Sequence, residues 1–309
     1  MLDDLKNRIS SVFIGKSSVV DLVLVSLLAD GHILLEDVPG TGKTLLAKTL
    51  AKTINGKFAR IQFTPDVLPG DITGIEYFNP KNSEFVLRLG PIMANILLAD
   101  EINRAMPRTQ SSLLEAMEER QVTIEGVTTP LPRPFLVIAT QNPIESQGTF
   151  PLPEAQLDRF LMKISIGYPS LADEIDIIRK FRVEQPIEEI TPIVTLENIE
   201  KLQKDAKNIY VSPSIEQYIV QLAHVTREHD YIEVGVSPRG TLALVKATQA
   251  MALLSNRAYC TPEDVQFLLP HVWGHRMILS MEGELRTTKE DLLAQLLTEV
   301  DVPVEMEQQ

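Results

Sequence analysis

The sequence has a single cysteine, no surplus of positive charge and no long apolar run. Cys260 stands alone, so no disulfide closes within the chain, which suits a reducing compartment. Lysine and arginine number 29 against 42 acidic residues, a formal net charge of −13. That balance argues against a protein that coats nucleic acid with a basic face, though a basic channel on an acidic body stays open. The longest greasy stretch, Val19 to Ala29, is broken by Asp21 and Ser26 and is too short to span a bilayer. The start, "MLDDLKNRIS", has acids where a secretory signal needs cations, and no apolar core follows. No fixed-period repeat or low-complexity tract stands out. A cytoplasmic protein without a membrane span is expected.

What is present reads as a folded protein. With 309 residues, 44% apolar and 23% charged, the chain has room for two domains with their own cores. Between Gly31 and Gly167, short β-prone runs alternate with helical patterns: "HILLED", "FARIQF", "NILLAD", "PFLVIAT" and "LMKISIG". Their apolar residues fall on consecutive rather than alternate positions. Such strands are buried on both faces, as in a parallel sheet covered by helices. After "GYPS" (167–170) the period turns helical, as in "SLADEIDIIRKF". The expected layout is an α/β domain over 1–169 followed by a helical domain over 170–309, with the tail "PVEMEQQ" frayed.

The stretch "EDVPGTGKT", Glu36 to Thr44, carries the first chemistry. It differs from G-x-x-x-x-G-K-[ST] in having Asp37 where the first glycine stands, the loop position farthest from the phosphates. A strand precedes it and a helix from Lys43 to about Ile54 follows, the context that a phosphate loop needs. Gly40 and Gly42 let successive N–H groups turn into one concavity, and the helix adds its positive end. Lys43 is placed to reach the β- and γ-phosphates, and the Thr44 hydroxyl to bind Mg²⁺. The bland alternative is a glycine turn with an incidental Lys-Thr. In "NILLADE" a buried strand ends in Asp100 and Glu101, at the edge where open α/β sheets bind ligands. Asp100 suits the metal, directly or through water, and Glu101 suits polarisation of an attacking water. Alternatively both acids merely cap the next helix.

Four segments in order, "VPGTGKT", "LLADEINRA", "VIATQNP" and "FPLPEAQLDRF", resemble the P-loop, second acidic motif, polar sensor and arginine motif of AAA+ ATPases. "RIQFTPDVLPGDITG" with "EAQLDRFLMKI" is similar to the MoxR family of that superfamily, and the resemblance covers roughly residues 10 to 280. It implies an α/β P-loop core with a parallel five-stranded sheet of order 5-1-4-3-2, a C-terminal all-helical lid, ATP and Mg²⁺ as cofactors, and a homo-oligomer, usually a ring of six. The family's phosphate-binding segment falls on Pro39, Gly40, Thr41, Gly42, Lys43, Thr44 and Leu45, with Thr44 and Asp100 as metal ligands. Asn142 matches the sensor of the γ-phosphate, and Asn-Pro is also a turn starter. Arg159 matches a finger that enters the neighbouring subunit's site, the alternative being a surface pair with Asp158. Arg239, in "VSPRG", matches the second sensor, in its own subunit or the next. Ile14 and Gly15 match the segment beside adenine, although Lys16 replaces the commoner Gln. Gln62 matches a residue that hydrogen-bonds Glu101 and holds it off.

Thr64 to Met93 runs about 30 residues where a crossover needs roughly a dozen. Ile75–Phe78 and Phe85–Leu89 flank "NPKN" and read as a hairpin, in an insertion near 74–92; a second is expected near 121–134. Either they line a pore and touch a client, or they simply cover the sheet. His271 and His275 lack the glutamate of H-E-x-x-H and a third ligand, and Cys260 reads as a small buried side chain. The resemblance implies an ATP-driven chaperone whose clients often carry a von Willebrand factor A domain and serve metal insertion or complex assembly. A nucleic-acid motor and a chelatase motor subunit are the rival readings; the few basic residues of the first hairpin, Lys81 and Arg88 beside Glu76 and Glu84, disfavour nucleic acid.

Overall fold

Consecutive apolar residues build the sheet as expected. In the computed structural model, which describes residues 1–36, 38, 40–142, 148–182 and 186–303, β1 (Ile33–Glu36) and β2 (Phe58–Gln62) precede a hairpin of β3 (Gly74–Asn79) and β4 (Glu84–Leu89). Then come β5 (Ile96–Asp100), a second hairpin of β6 (Gln121–Ile124) and β7 (Val127–Pro130), then β8 (Leu136–Gln141) and β9 (Met162–Ile164). The five sheet strands lie in the order β2-β5-β8-β1-β9, every pair parallel. Numbered within the sheet and read from the other side, this is the order 5-1-4-3-2.

Side chains alternate across that sheet, which splits the core in two. Ile33, Leu35, Ile96, Leu98 and Ile138 face one cluster; Leu34, Leu97, Ala99, Val137 and Ala139 face the other. The second cluster is closed by α4 (Pro69–Thr73) and α5 (Pro107–Glu119), through Ile72, Leu113, Leu114 and Met117. On the first side lie α1 (Leu2–Ser10), α2 (Ser17–Leu28) and α3 (Lys43–Thr53). A single turn, α6 (Glu154–Leu157), precedes β9.

Beyond β9 the chain is mainly helical: α7 (Leu171–Phe181), α8 (Leu196–Lys207), α9 (Pro213–Glu228), α10 (Pro238–Leu254), α11 (Pro262–Trp273), α12 (Met281–Arg286) and α13 (Lys289–Glu299). Ser170 starts α7 with a capping box: its Oγ accepts from Asp173 N–H at 3.2 Å, and the Asp173 carboxylate accepts from Ser170 N–H at 3.1 Å. Among the described residues one short ribbon interrupts the helices, β10 (Ile232–Val234) against β11 (Ile278–Leu279). Its strands have three and two residues, too few to carry a period in the sequence.

The lid is seated on the sheet by its own polar clasp. Arg276, with 4% of its side chain exposed, donates from Nε to Asp158 Oδ1 at 2.6 Å and from Nη1 and Nη2 to the carbonyls of Leu161 and Phe160 at 3.0 and 2.6 Å. His275 Nε2 lies 3.1 Å from the Phe160 carbonyl. On the other face His32 Nδ1 accepts from Val137 N–H at 3.0 Å, so its Nε2–H donates to the Met117 carbonyl at 3.2 Å.

Burial first, and then a nearby guanidinium (Arg120 for His32, Arg276 for His275), holds both histidines well below their ordinary value of 6.5. The unfolded chain therefore binds more protons, and the stability contributed by the neutral rings is present above pH 6.5 and lost below it. Thermal unfolding at pH 7.5 and 5.5 should show a lower midpoint at 5.5, with a slope of roughly 1.4 kcal/mol per pH unit per histidine below the unfolded value. A midpoint that does not move over that range contradicts the buried neutral assignment.

Candidate nucleotide site

All five sheet strands point the same way, so their carboxyl ends share one edge. Glu36, Gln62, Asp100 and Gln141 end four of them. Between β1 and α3 the loop turns through Gly40 (φ 88°) and Gly42 (φ 85°), both in the left-handed region that favours glycine. Asp37 and Pro39, the departure from the motif and one expected contact, lie outside the described residues. Gly42 also sits against Phe13, whose ring is 3.3 Å from where a Cβ would be. Lys43 opens α3 and folds back over the loop, its Nζ donating to the Val38 carbonyl at 2.9 Å.

Across a cavity of about 490 Å³ from that loop stand the two carboxylates. Asp100 Oδ1 accepts from the Thr140 hydroxyl at 2.6 Å, and Oδ2 from Arg60 Nη2 and Nε at 2.7 and 3.2 Å. Thr140 in turn accepts from Glu101 N–H at 2.8 Å, so one hydroxyl fixes both acids. Glu101 itself adopts a left-handed conformation (φ 57°, ψ 49°) that carries its side chain off the strand's line. Its Oε2 accepts from Gln62 Nε2 at 2.9 Å and from Arg104 Nε at 2.9 Å. Gln62 Oε1 accepts from Arg60 Nη2 at 2.8 Å, which fixes the direction of its amide.

Thr44, Leu45 and Asn142 line the same cavity. Next to it, sharing Gly40, Gly42 and Leu45, a pocket of about 200 Å³ is walled by Phe13, Ile14, Gly15, Ile166, Tyr168 and Phe181. Thr41 borders this second pocket. A polar chamber beside an apolar slot, joined at a phosphate-type loop, matches a nucleotide's triphosphate and base. The Thr44 hydroxyl and the Asp100 carboxylate are hard oxygen donors. A small hard cation at phosphates takes one or two such ligands and fills its shell with phosphate oxygens and water. The pair suits that class, and among the described residues no group of three or more His, Cys, Asp or Glu gathers as a metal cage.

Arg159 and Arg239 lie at the opposite edge of the sheet. Arg159 precedes β9 and its Nε bonds Glu118 Oε2 at 2.8 Å, whereas Arg239, at the start of α10, bonds Glu118 at 3.2 Å and Asp158 at 3.5 Å. Asp158 takes Arg276 and Arg239 rather than its sequence neighbour Arg159. Sequence reasoning missed Arg60, Arg104, Thr140 and Glu118. Arg60 was within reach, lying two residues before Gln62 on the same face of β2. Cys260 is buried, which pushes its thiol up to about 12, and it plays no part here.

The fold and the loop agree with known proteins. Residues 32–162 match the model of the ATPase family associated with various cellular activities, and 224–296 match its AAA lid domain. The chain is 44% identical over 285 residues to Chaperone MoxR1 of Mycobacterium tuberculosis, covering 89% of this chain and 75% of that protein. It belongs to the MoxR family of AAA+ ATPases. This MoxR-family chain is also 50% identical over 299 residues to the protein YeaC of Bacillus subtilis, covering 96% and 93% of the two. A crystal structure from Cytophaga hutchinsonii superposes with a TM-score of 0.92 at 38% identity, over 98% of this chain and 95% of that one. As a member of the AAA+ class the protein is an ATP hydrolase, and ATP is its nucleotide. Among the described residues no helix is long and apolar enough to cross a membrane.

Lys43→Ala should abolish ATP binding in calorimetry, because it removes the one loop side chain able to meet the outer phosphates with charge. Binding at undiminished affinity contradicts the assignment of the loop.

Proposed function

We propose that this MoxR-family ATPase is a ring-forming chaperone that uses ATP hydrolysis to remodel a client protein. The reading is carried by the convergence of Lys43, Thr44, Asp100 and Glu101 on one cavity. Lys43 and the N–H groups of Gly40 to Thr44 hold the outer phosphates. Thr44 and Asp100 would hold Mg²⁺, which would supply charge neutralisation at the phosphates. Glu101 orients the attacking water, and Asn142 lines the γ-phosphate side. Gln62 and Arg104 both donate to Oε2 of the Glu101 carboxylate, so that oxygen is occupied until they let go. Ile14 and Gly15 stand beside the base.

The arginines carry the case for a ring. Strands of four or five residues, at roughly 3.3 Å each, separate the two edges by about 13–17 Å. Arg159 and Arg239 in this arrangement serve the neighbour's nucleotide rather than their own, offsetting charge on its γ-phosphoryl group. A homo-oligomer follows, and the family resemblance makes six subunits the proposed number.

The β3–β4 hairpin supports a protein client. Ile75, Tyr77, Phe78, Phe85, Leu87 and Leu89 are all exposed, Phe85 to 68%. Phe78 and Phe85 meet edge to face at 5.5 Å. Such an apolar blade suits unfolding or docking of polypeptide, whereas a single-strand binder needs a basic groove. A von Willebrand factor A domain protein, acting in metal insertion or complex assembly, is the proposed client class. Glu101→Gln should bind ATP as the parent does yet hydrolyse it at least about a hundredfold more slowly. Hydrolysis at the parental rate contradicts the reading of Glu101, and salt-sensitive capture of single-stranded DNA would move the client from protein to nucleic acid.

A further inference from the structure

The two arginines directed at the neighbour share one carboxylate. Glu118 lies in the last turn of α5; its Oε2 accepts from Arg159 Nε at 2.8 Å, and its Oε1 meets Arg239 Nη2 at 3.2 Å. Asp158 meets Arg239 Nε at 3.5 Å through Oδ2, and gives Oδ1 to the buried Arg276. Three guanidinium groups thus meet two carboxylates, leaving one positive charge in excess. Their roles differ by exposure. Arg276 is buried and committed to backbone carbonyls, so it is the anchor. Arg159 and Arg239, at 29% and 49% exposed, are the pair able to turn outward.

We propose that Glu118 is a positioning residue that holds Arg159 and Arg239 side by side, so that both reach the adjacent subunit's triphosphate as one two-pronged cation. A free arginine loses rotamer freedom when it docks; one already bonded has lost it beforehand. The shared anion also lets two like charges stand together, which neither would do alone. The pairs are partly exposed and hence weak enough to exchange a bond for a phosphate oxygen. Glu118 sits in the core and Arg239 in the lid, so the same carboxylate ties the finger to the first turn of a lid helix.

The proposal rests on Arg159 acting across the subunit boundary, and its test separates the two. Steady-state hydrolysis is measured for Glu118→Gln, Glu118→Asp, Arg159→Ala and the Glu118→Gln/Arg159→Ala pair, in rings checked by size, with ATP binding followed by calorimetry. Glu118→Gln should lower kcat about tenfold while KM and ATP binding stay within about twofold. Glu118→Asp should recover part of that loss, and the double variant should be no slower than Arg159→Ala alone. Mixed with Glu101→Gln subunits, which keep all three side chains, Glu118→Gln subunits should regain hydrolysis. Full kcat in Glu118→Gln, with Arg159→Ala impaired, overturns the positioning role and leaves the arginine reading standing. Full kcat in Arg159→Ala removes that reading and the proposal with it. Loss of ATP binding, or no recovery in confirmed mixed rings, assigns Glu118 a merely structural role.

Discussion

The polarity of the sheet is the constraint on which the rest depends. Five parallel strands place every carboxyl end, and so the phosphate loop, Gln62, Asp100 and Glu101, at one edge. The residues that lead into strands or close returning helices, Arg159 and Glu118, fall at the other. Both faces of the sheet are sealed by packed cores, and close-packed interiors do not flex to bring opposite edges together. On the proposed function, Arg159 and Arg239 then sit where a neighbouring copy, rather than their own site, can use them.

Polar contacts in the molecule divide by burial into those that hold and those that exchange. Arg276 is almost wholly buried among acceptors; removing one side of such a cluster costs several kcal/mol, on the order of 3–5. The Arg60–Asp100 pair, with Arg60 46% exposed, is worth about 0–1 kcal/mol. That difference fits their positions. The joint between lid and sheet is fixed, while the groups around Asp100 and Glu101 sit in contacts weak enough to be traded for a nucleotide. Thr140 stands between the classes, buried and bonded to the Asp100 carboxylate and the Glu101 backbone N–H, so the end of β5 keeps its placement while the Glu101 side chain is left to its exchangeable partners.

Much of this was legible in the sequence, and the reasons differ by residue. The five sheet strands showed because burial on both faces leaves runs of consecutive apolar residues, as at Ile96–Ala99. Lys43 and Thr44 showed because a phosphate loop is local in sequence. The hairpin at 74–89 showed through an overlong crossover. Contacts between distant segments did not show. Glu118 looks like one more solvated acid in "LLEAMEERQ" until α5 is laid against the start of β9. Asp158 and Arg159 looked like a pair because they are adjacent, but the turn before β9 sends them to different partners, Arg276 and Glu118. The β10–β11 ribbon is too short to alter a helical period.

The central claim is that one chain cannot complete its own site, and its most direct test is specific ATPase activity against protein concentration at saturating ATP, with the assembled fraction followed in parallel. Activity per subunit should rise with assembly and fall toward zero where the chain is monomeric. Constant activity per subunit down to the monomeric range would contradict the account.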